Sequence, residues 1–347
     1  HQRGARPNGT RASPDARRPG GSAPPPLSLK RQPRYHWRMG DIFLRTLPFF
    51  AIIGLGYWAG RTRFFTAEAT AYLTKFVFYF ALSAMIFRFA ANLSFAEVFD
   101  ANLVLGYLAG CLAVYAIATL AARFRKQDNA TAAVEAQCAT IGNVGFLGLP
   151  MMAMLFGEAS IGPMMMILAV DLMVFSSLIV ILINMSRGGT RGLQALRLAG
   201  LGLVKNPMIV SMAAGLSWSA LQIPIPAPAN DFLQILGAAA TPGALFAIGA
   251  SLAGNSAERV QTALWLSFAK LAIHPACVAL GILWLFPVDA YTATIAISAA
   301  ALPVAGNVYM LAQHYGVAPH RASAAIFLST LISIVSLPVV IAWAGTG

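Results

Sequence analysis

Ten apolar runs, each long enough to cross a hydrocarbon core of about 30 Å, follow one another along this chain. They fall at 42–60, 70–90, 101–122, 130–157, 162–185, 206–222, 230–253, 262–286, 289–316 and 322–344. The pattern predicts one membrane-crossing helix per run. As unbroken helices the fourth and ninth would be about 42 Å long, which is too long unless they are broken or strongly tilted. Both contain glycine, asparagine and proline. The fourth reads Gly142-Asn143-Val144-Gly145-Phe146-Leu147-Gly148-Leu149-Pro150, the ninth Leu302-Pro303-Val304-Ala305-Gly306-Asn307-Val308. In lipid every backbone N–H and C=O needs a partner, so a broken helix is tolerated only where it is buried or lines a cavity. Paired interruptions in corresponding halves of a chain point to the binding site of a transporter.

Charge alternates between successive loops. Loops after odd-numbered runs carry Arg61 and Arg63; Arg123, Arg125 and Lys126; Arg187, Arg191, Arg197 and Lys205; Arg259; and Arg321, while the others carry no Lys or Arg. The positive-inside rule puts the basic loops in the cytoplasm and both termini outside. Residues 39–185 and 206–347 then form two five-helix halves of opposite orientation, joined by a cytoplasmic linker at 186–205. Leu82-Ser83-Ala84-Met85-Ile86-Phe87 lines up faintly with Thr241-Pro242-Gly243-Ala244-Leu245-Phe246. Together these features predict an all-α polytopic membrane protein with ten transmembrane helices in an inverted 5+5 repeat.

Composition agrees. The chain is 58% hydrophobic and 10% charged, against about 25% charged in soluble domains. Its net charge of +12 is concentrated in residues 1–38, where nine Lys or Arg stand against one Asp. That stretch is rich in Arg, Pro, Gly and Ser and has no apolar h-region, so it is expected to be disordered and not a secretory signal. Met39 directly precedes the first apolar run, and residues 1–38 are expected to be a non-native extension. Nucleic-acid binding by this tail is disfavoured, because it holds almost no aromatic residues. Cys111, Cys138 and Cys277 all lie in apolar runs without metal-ligand spacing and read as packing residues.

The break at Gly142–Pro150, the segment Lys205-Asn206-Pro207, residues 238–252, Lys270-Leu271-Ala272-Ile273-His274-Pro275, and Leu302 through Gly316 occur in an order that resembles the auxin efflux carrier family, with its bacterial malonate and malate permeases. The resemblance runs from about Gly40 to the C-terminus. It implies discontinuous helices 4 and 9 crossing around an organic-anion site, a fold related to sodium–proton antiporters and bile-acid sodium symporters, and a homodimer.

Each broken helix resumes after its interruption, so two half-helix N-termini face the midplane. They offer unpaired N–H groups and about half a positive charge each, which suits an anion. Asn143 and Asn307 add amide donors without a full buried charge; Val144, Gly145, Pro303 and Gly306 frame the breaks. Pro150 suits the first helical position, where its missing N–H costs nothing. The plain alternative is that Asn143 only caps the freed backbone. Ionisable residues inside the membrane are functional candidates by default. Asp171 lies roughly 15 Å into the fifth run and Lys270 roughly 12 Å into the eighth, with His274 one turn on. Asp171, His274 or Glu135 is expected to take up a proton, and Lys270 to attract the substrate anion; a structural ion pair or a snorkelling lysine is the bland reading. Arg88 reads as an interface anchor, His314 as a complement to a helix C-terminus. Met151, Met152 and Met164–Met166 read as adaptable packing, and Gly54, Gly56 and Gly60 as close helix contacts.

No zinc-protease or nucleophile-elbow motif is present in the sequence, which argues against an enzyme. No catalytic residue, metal site or cofactor is expected. The reading is a secondary transporter of organic carboxylate anions, malonate- or malate-like or auxin-like, in the bacterial cytoplasmic membrane, working by alternating access as a uniporter or with proton coupling. A sodium- or proton-coupled cation exchanger or symporter on the same fold is the alternative, and a membrane receptor or enzyme a remote one. Cation exchange needs neighbouring midplane carboxylates, and Asp171 stands alone at that depth.

Overall fold

The computed structural model describes residues 39–93, 99–186, 192–253 and 260–345. The basic tail, Arg187, Arg191 and Arg259 lie outside the described residues.

Among the described residues the chain is entirely helical apart from one isolated β-bridge. Seven helices among the described residues are long and apolar enough to cross a membrane by themselves. These are α1 (Met39–Arg61), α2 (Ala67–Ala91), α3 (Ala101–Phe124), α6 (Glu158–Ser186), α9 (Ala227–Leu252), α10 (Val260–Leu285) and α13 (Pro319–Ala344). Between them come the shorter helices α4 (Asn129–Thr140), α5 (Val144–Phe156), α7 (Gly192–Lys205), α8 (Pro207–Ala220), α11 (Ala290–Ala300) and α12 (Gly306–His314). The expected linker is therefore largely helix, and α7 meets α8 at a bend of 69°. Asn206 makes that corner: its side chain accepts the N–H of Met208, and Pro207 follows at the first helical position, a proline that costs the helix nothing.

Two of the short helices are the heart of the molecule. In α4 every residue from Ala132 to Thr140 is buried, and in α11 every residue from Thr292 to Ala300. Their sequences, dominated by Ala, Thr and Ser, let neighbouring backbones approach closely on all sides. α4 and α5 are the two pieces of the fourth apolar run, α11 and α12 those of the ninth. The chain between the pieces is short: Ile141 (ψ 115) and Ala305 (ψ 140) are extended, while Asn143 at φ −77, ψ 56 makes a tight turn in which the Val144 N–H donates to the Gly142 carbonyl at 2.8 Å.

Among the described residues there are five π turns, four within the long helices and one opening α5, and two of the four carry membrane-embedded charges: Asp171 opens the turn Asp171–Phe175 and Lys270 lies within Ala269–Ile273. Such turns widen a helix locally and recur at functional sites. At the α1–α9 crossing the glycine reading holds for Gly56 and Gly60, where a Cβ would lie 2.1 Å from the Phe246 carbonyl oxygen and 2.7 Å from that of Ala250. It fails for Gly54, which has open space around it. The methionines at 151, 152 and 164–166 are all buried in the core, as packing residues would be.

Candidate functional site

The two breaks meet through their backbones. The Asn143 N–H donates to the Pro303 carbonyl at 2.9 Å, and the Ala305 N–H donates to the Ile141 carbonyl at 3.1 Å. These reciprocal bonds form the antiparallel bridge between Gly142 and Val304. The Val304 N–H is taken by the Ser329 hydroxyl at 3.1 Å. Groups freed by breaking two helices thus satisfy one another, as a water-poor interior demands.

Because the backbones do this, the asparagine side chains need not. Asn143 stands at the N-cap position of the resumed helix but makes no capping bond, and its Oδ1 has no partner among the described residues. The capping reading of Asn143 is therefore not the arrangement found. α12 likewise starts without a side-chain cap, and Asn307, its second residue, leaves Oδ1 unpartnered. Pro150 falls in the first turn of the α-helical stretch Leu149–Phe156, yet the chain is already helical from Val144 through a π turn, so the proline sits deeper than the resumption itself.

A narrow cleft of ≈ 20 Å³ opens at the crossing, lined by Asn143, Val144, Gly145, Asp171, Asn307 and, from α8, Met208. That is room for about one water. Asp171 is 2% exposed; Tyr107 of α3 donates to its Oδ1 at 3.0 Å, while Oδ2 has no partner among the described residues. Pro303, Gly306, Lys270, His274, Glu135 and Pro150 do not line this cleft.

Lys270 and His274 form a second buried cluster beside it. Both are fully buried. The Lys270 ammonium donates to the carbonyl of Ala300, the last residue of α11, and lies 2.9 Å from His274 Nδ1. His274 Nδ1 is also 3.1 Å from the Ala300 carbonyl, and Nε2 is 3.2 Å from Cys111 Sγ. A cation at the C-terminus of a half-helix opposes the partial negative charge of its free carbonyls. Lys270 is neither snorkelling nor ion-paired: among the described residues the ion pairs are Arg125–Glu135 and Arg321–Glu135. Gly142 makes room for it, since a Cβ there would lie 3.2 Å from the Lys270 Nζ.

Glu135 stands apart from both groups, buried in α4 and clasped by those two guanidiniums. Arg88 donates to Asn230 at 3.1 Å and so ties α2 to α9. Tyr107, Leu168, Leu172 and Met208 were not singled out from sequence; each is an apolar-run residue among many alike, and no local signal marks it.

A cleft between two broken helices, inside a bundle of apolar spanning helices, defines an integral membrane transport protein. The family model described as "Membrane transport protein" matches residues 41–341. The chain belongs to that family, the auxin efflux carriers, and is a transporter, not an enzyme. A Rhizobium meliloti (strain 1021) protein named "Putative malonate transporter" is 29% identical over 303 residues, covering 86% of this chain and 94% of the relative. The "Uncharacterized transporter YfdV" of Escherichia coli (strain K12) is 24% identical over 307 residues, covering 86% and 95%.

Proposed function

We propose that this protein moves small organic carboxylate anions, malonate- or malate-like, across the bacterial cytoplasmic membrane by alternating access around the crossed breaks. The observation that carries this reading is the pair of uncapped half-helix N-termini joined at the Gly142–Val304 bridge, with Asn143 and Asn307 beside them. Helix N-termini present N–H donors and partial positive charge, and asparagine amides add donors, so a carboxylate is matched without a buried counter-charge. Lys270 adds long-range attraction from behind Gly142. Counting each broken pair and α8 as one crossing gives ten spans, read as halves 39–185 and 206–347 of opposite orientation with both termini outside. The relative named for malonate supports the dicarboxylate class.

The cleft holds about one water, so a dicarboxylate enters only when one bundle moves against the other. Asp171 faces the same cleft, and an anion beside it is tolerated best when the carboxyl is protonated. Proton symport follows, with Asp171 as carrier. One observation favours the sodium alternative: among the described residues Asn143 Oδ1, Asn307 Oδ1 and Asp171 Oδ2 are all unpartnered oxygens.

The test is uptake of a labelled carboxylate panel into proteoliposomes under an imposed pH or sodium gradient. Saturable malonate uptake driven by protons and lost in Asn143→Ala supports the reading. Absence of uptake across the panel, with sodium–proton exchange in its place, overturns it.

A further inference from the structure

Outside the crossing, the strongest concentration of charge is around Glu135. Its carboxylate is fully buried in α4, eight residues before Asn143, or about 12 Å along a helix. Arg125, at the C-terminal end of α3, and Arg321, in the first turn of α13, both donate to it. Arg321 also donates to Gln127 Oε1 at 2.7 Å, Gln127 donates to the Arg125 carbonyl at 2.9 Å, and Arg125 Nε donates to the Ala121 carbonyl at 3.2 Å. The side chains of Arg125 and Arg321 are 34% and 11% exposed, against 0% for Glu135. Two cations at the rim therefore hold one anion behind them, and the group carries a net charge of +1.

Stability alone gives little reason for this arrangement. A buried ion triad is often matched or surpassed by apolar residues of the same volume, because desolvation offsets the attraction. What two guanidiniums do well is bind a carboxylate, each through a planar fork of donors. The carboxylate now on them belongs to the chain, and it ties the first half-helix to α3 and α13.

We propose that Arg125 and Arg321 form a second carboxylate-binding station at the mouth of α4, occupied at rest by Glu135. An incoming carboxylate takes the place of Glu135 on the guanidiniums and so releases α4 from the ends of α3 and α13. The station is a stop on the way to the crossing and a lock on the half-helix at once. Only the identity of the natural occupant rests on the transport reading; the station itself does not.

Chemical rescue tests it. Glu135→Ala leaves the two guanidiniums without their anion, and acetate is the probe, compared with chloride at equal ionic strength. The expected result is a saturable rise of the melting midpoint of the purified variant with acetate, absent from the parent and from Glu135→Ala/Arg321→Gln. At acetate ten times above its dissociation constant the folded-to-unfolded ratio rises about elevenfold. Should the alanine variant not fold, Glu135→Gln keeps the side-chain volume and is expected to show the same acetate dependence. The second reading is maleimide labelling of Cys138, a buried residue of α4, followed by peptide mass spectrometry. In the parent protein malonate is expected to raise the labelling rate several-fold. Acetate acting no better than chloride on either variant overturns the station. Rescue without any change at Cys138 overturns the displacement step. Rescue together with silence in carboxylate uptake leaves the station standing and removes the transport reading instead.

Discussion

Replacing Lys270 by methionine separates what this buried cation does for the fold from what it does for transport. The losses are a charge-assisted bond to the Ala300 carbonyl, about 1.5–3 kcal/mol, and the favourable placement at the end of α11, up to about 2 kcal/mol. Against them stands the desolvation of an ammonium, which costs several kcal/mol in a protein interior. Methionine has nearly the same length and fills the space. Nor is the carbonyl orphaned: His274 Nδ1 already lies 3.1 Å from it, and the tautomer with the proton on Nδ1 donates to Ala300 while Nε2 accepts from Cys111. The terms nearly cancel. Lys270→Met is therefore expected to lie within about 2 kcal/mol of the parent, with carboxylate uptake reduced to background. Thermal unfolding in detergent, paired with proteoliposome uptake, measures both. A loss of about 3–5 kcal/mol, the size seen when one partner of a buried pair is removed, would refute the reasoning and show that another charge, Asp171 first among them, depends on Lys270. Unimpaired uptake would remove Lys270 from anion attraction.

Four further outcomes are expected. Gly249→Ala puts a Cβ 1.9 Å from the Ile53 carbonyl oxygen, so α1 and α9 must part, at about 1–3 kcal/mol or more. Gly54→Ala, in open space, is expected to stabilise by about 0.5–1 kcal/mol through helix propensity; equal melting midpoints for the two variants would contradict the crossing. Asp171→Asn keeps an oxygen for the Tyr107 hydroxyl, so the fold is expected to persist while proton-driven uptake falls and exchange is spared; full proton-driven uptake would return Asp171 to a structural role. Asp128 caps α4, accepting the N–H and hydroxyl of Thr131, and these bonds hold its carboxyl below the usual range. The contribution of a depressed carboxyl is present above the unfolded value of about 3.9 and is lost as pH falls through the folded value. Asp128→Ala is thus expected to cost about 1 kcal/mol above the unfolded value of about 3.9, with the two midpoints converging as the pH falls through the lowered folded value; a gap that persists in acid would mean the cap does not act through its charge.

Much of the site was legible because the fold leaves it unused. At the crossing the backbones pair with each other through Asn143 N–H, Pro303, Ala305 N–H and Ile141, a solution that asks for small or flexible residues and no particular side chain. Polar groups standing there in an apolar run are surplus to the fold, and Asn143, Asn307 and Asp171 each keep an oxygen without a partner among the described residues. The same surplus makes them conspicuous in the sequence. Where the fold does use a group, the sequence misleads or is silent. Arg125 and Arg321 read as ordinary loop charges, yet they converge on Glu135 from 10 and 186 residues away. Lys270 reads as an attractor of the substrate anion or, blandly, as half of an ion pair, and the partner it has is a main-chain carbonyl, which leaves no trace in residue identity. Tyr107 and Met208 are invisible for a third reason: in a membrane span an apolar wall of a cleft looks like any other buried or lipid-facing position. The legible residues are therefore those whose bonding capacity is left for something outside the chain; unpartnered acceptor oxygens fit a proton or a cation, and the carboxylate of the transport proposal falls to the amide and helix N–H donors.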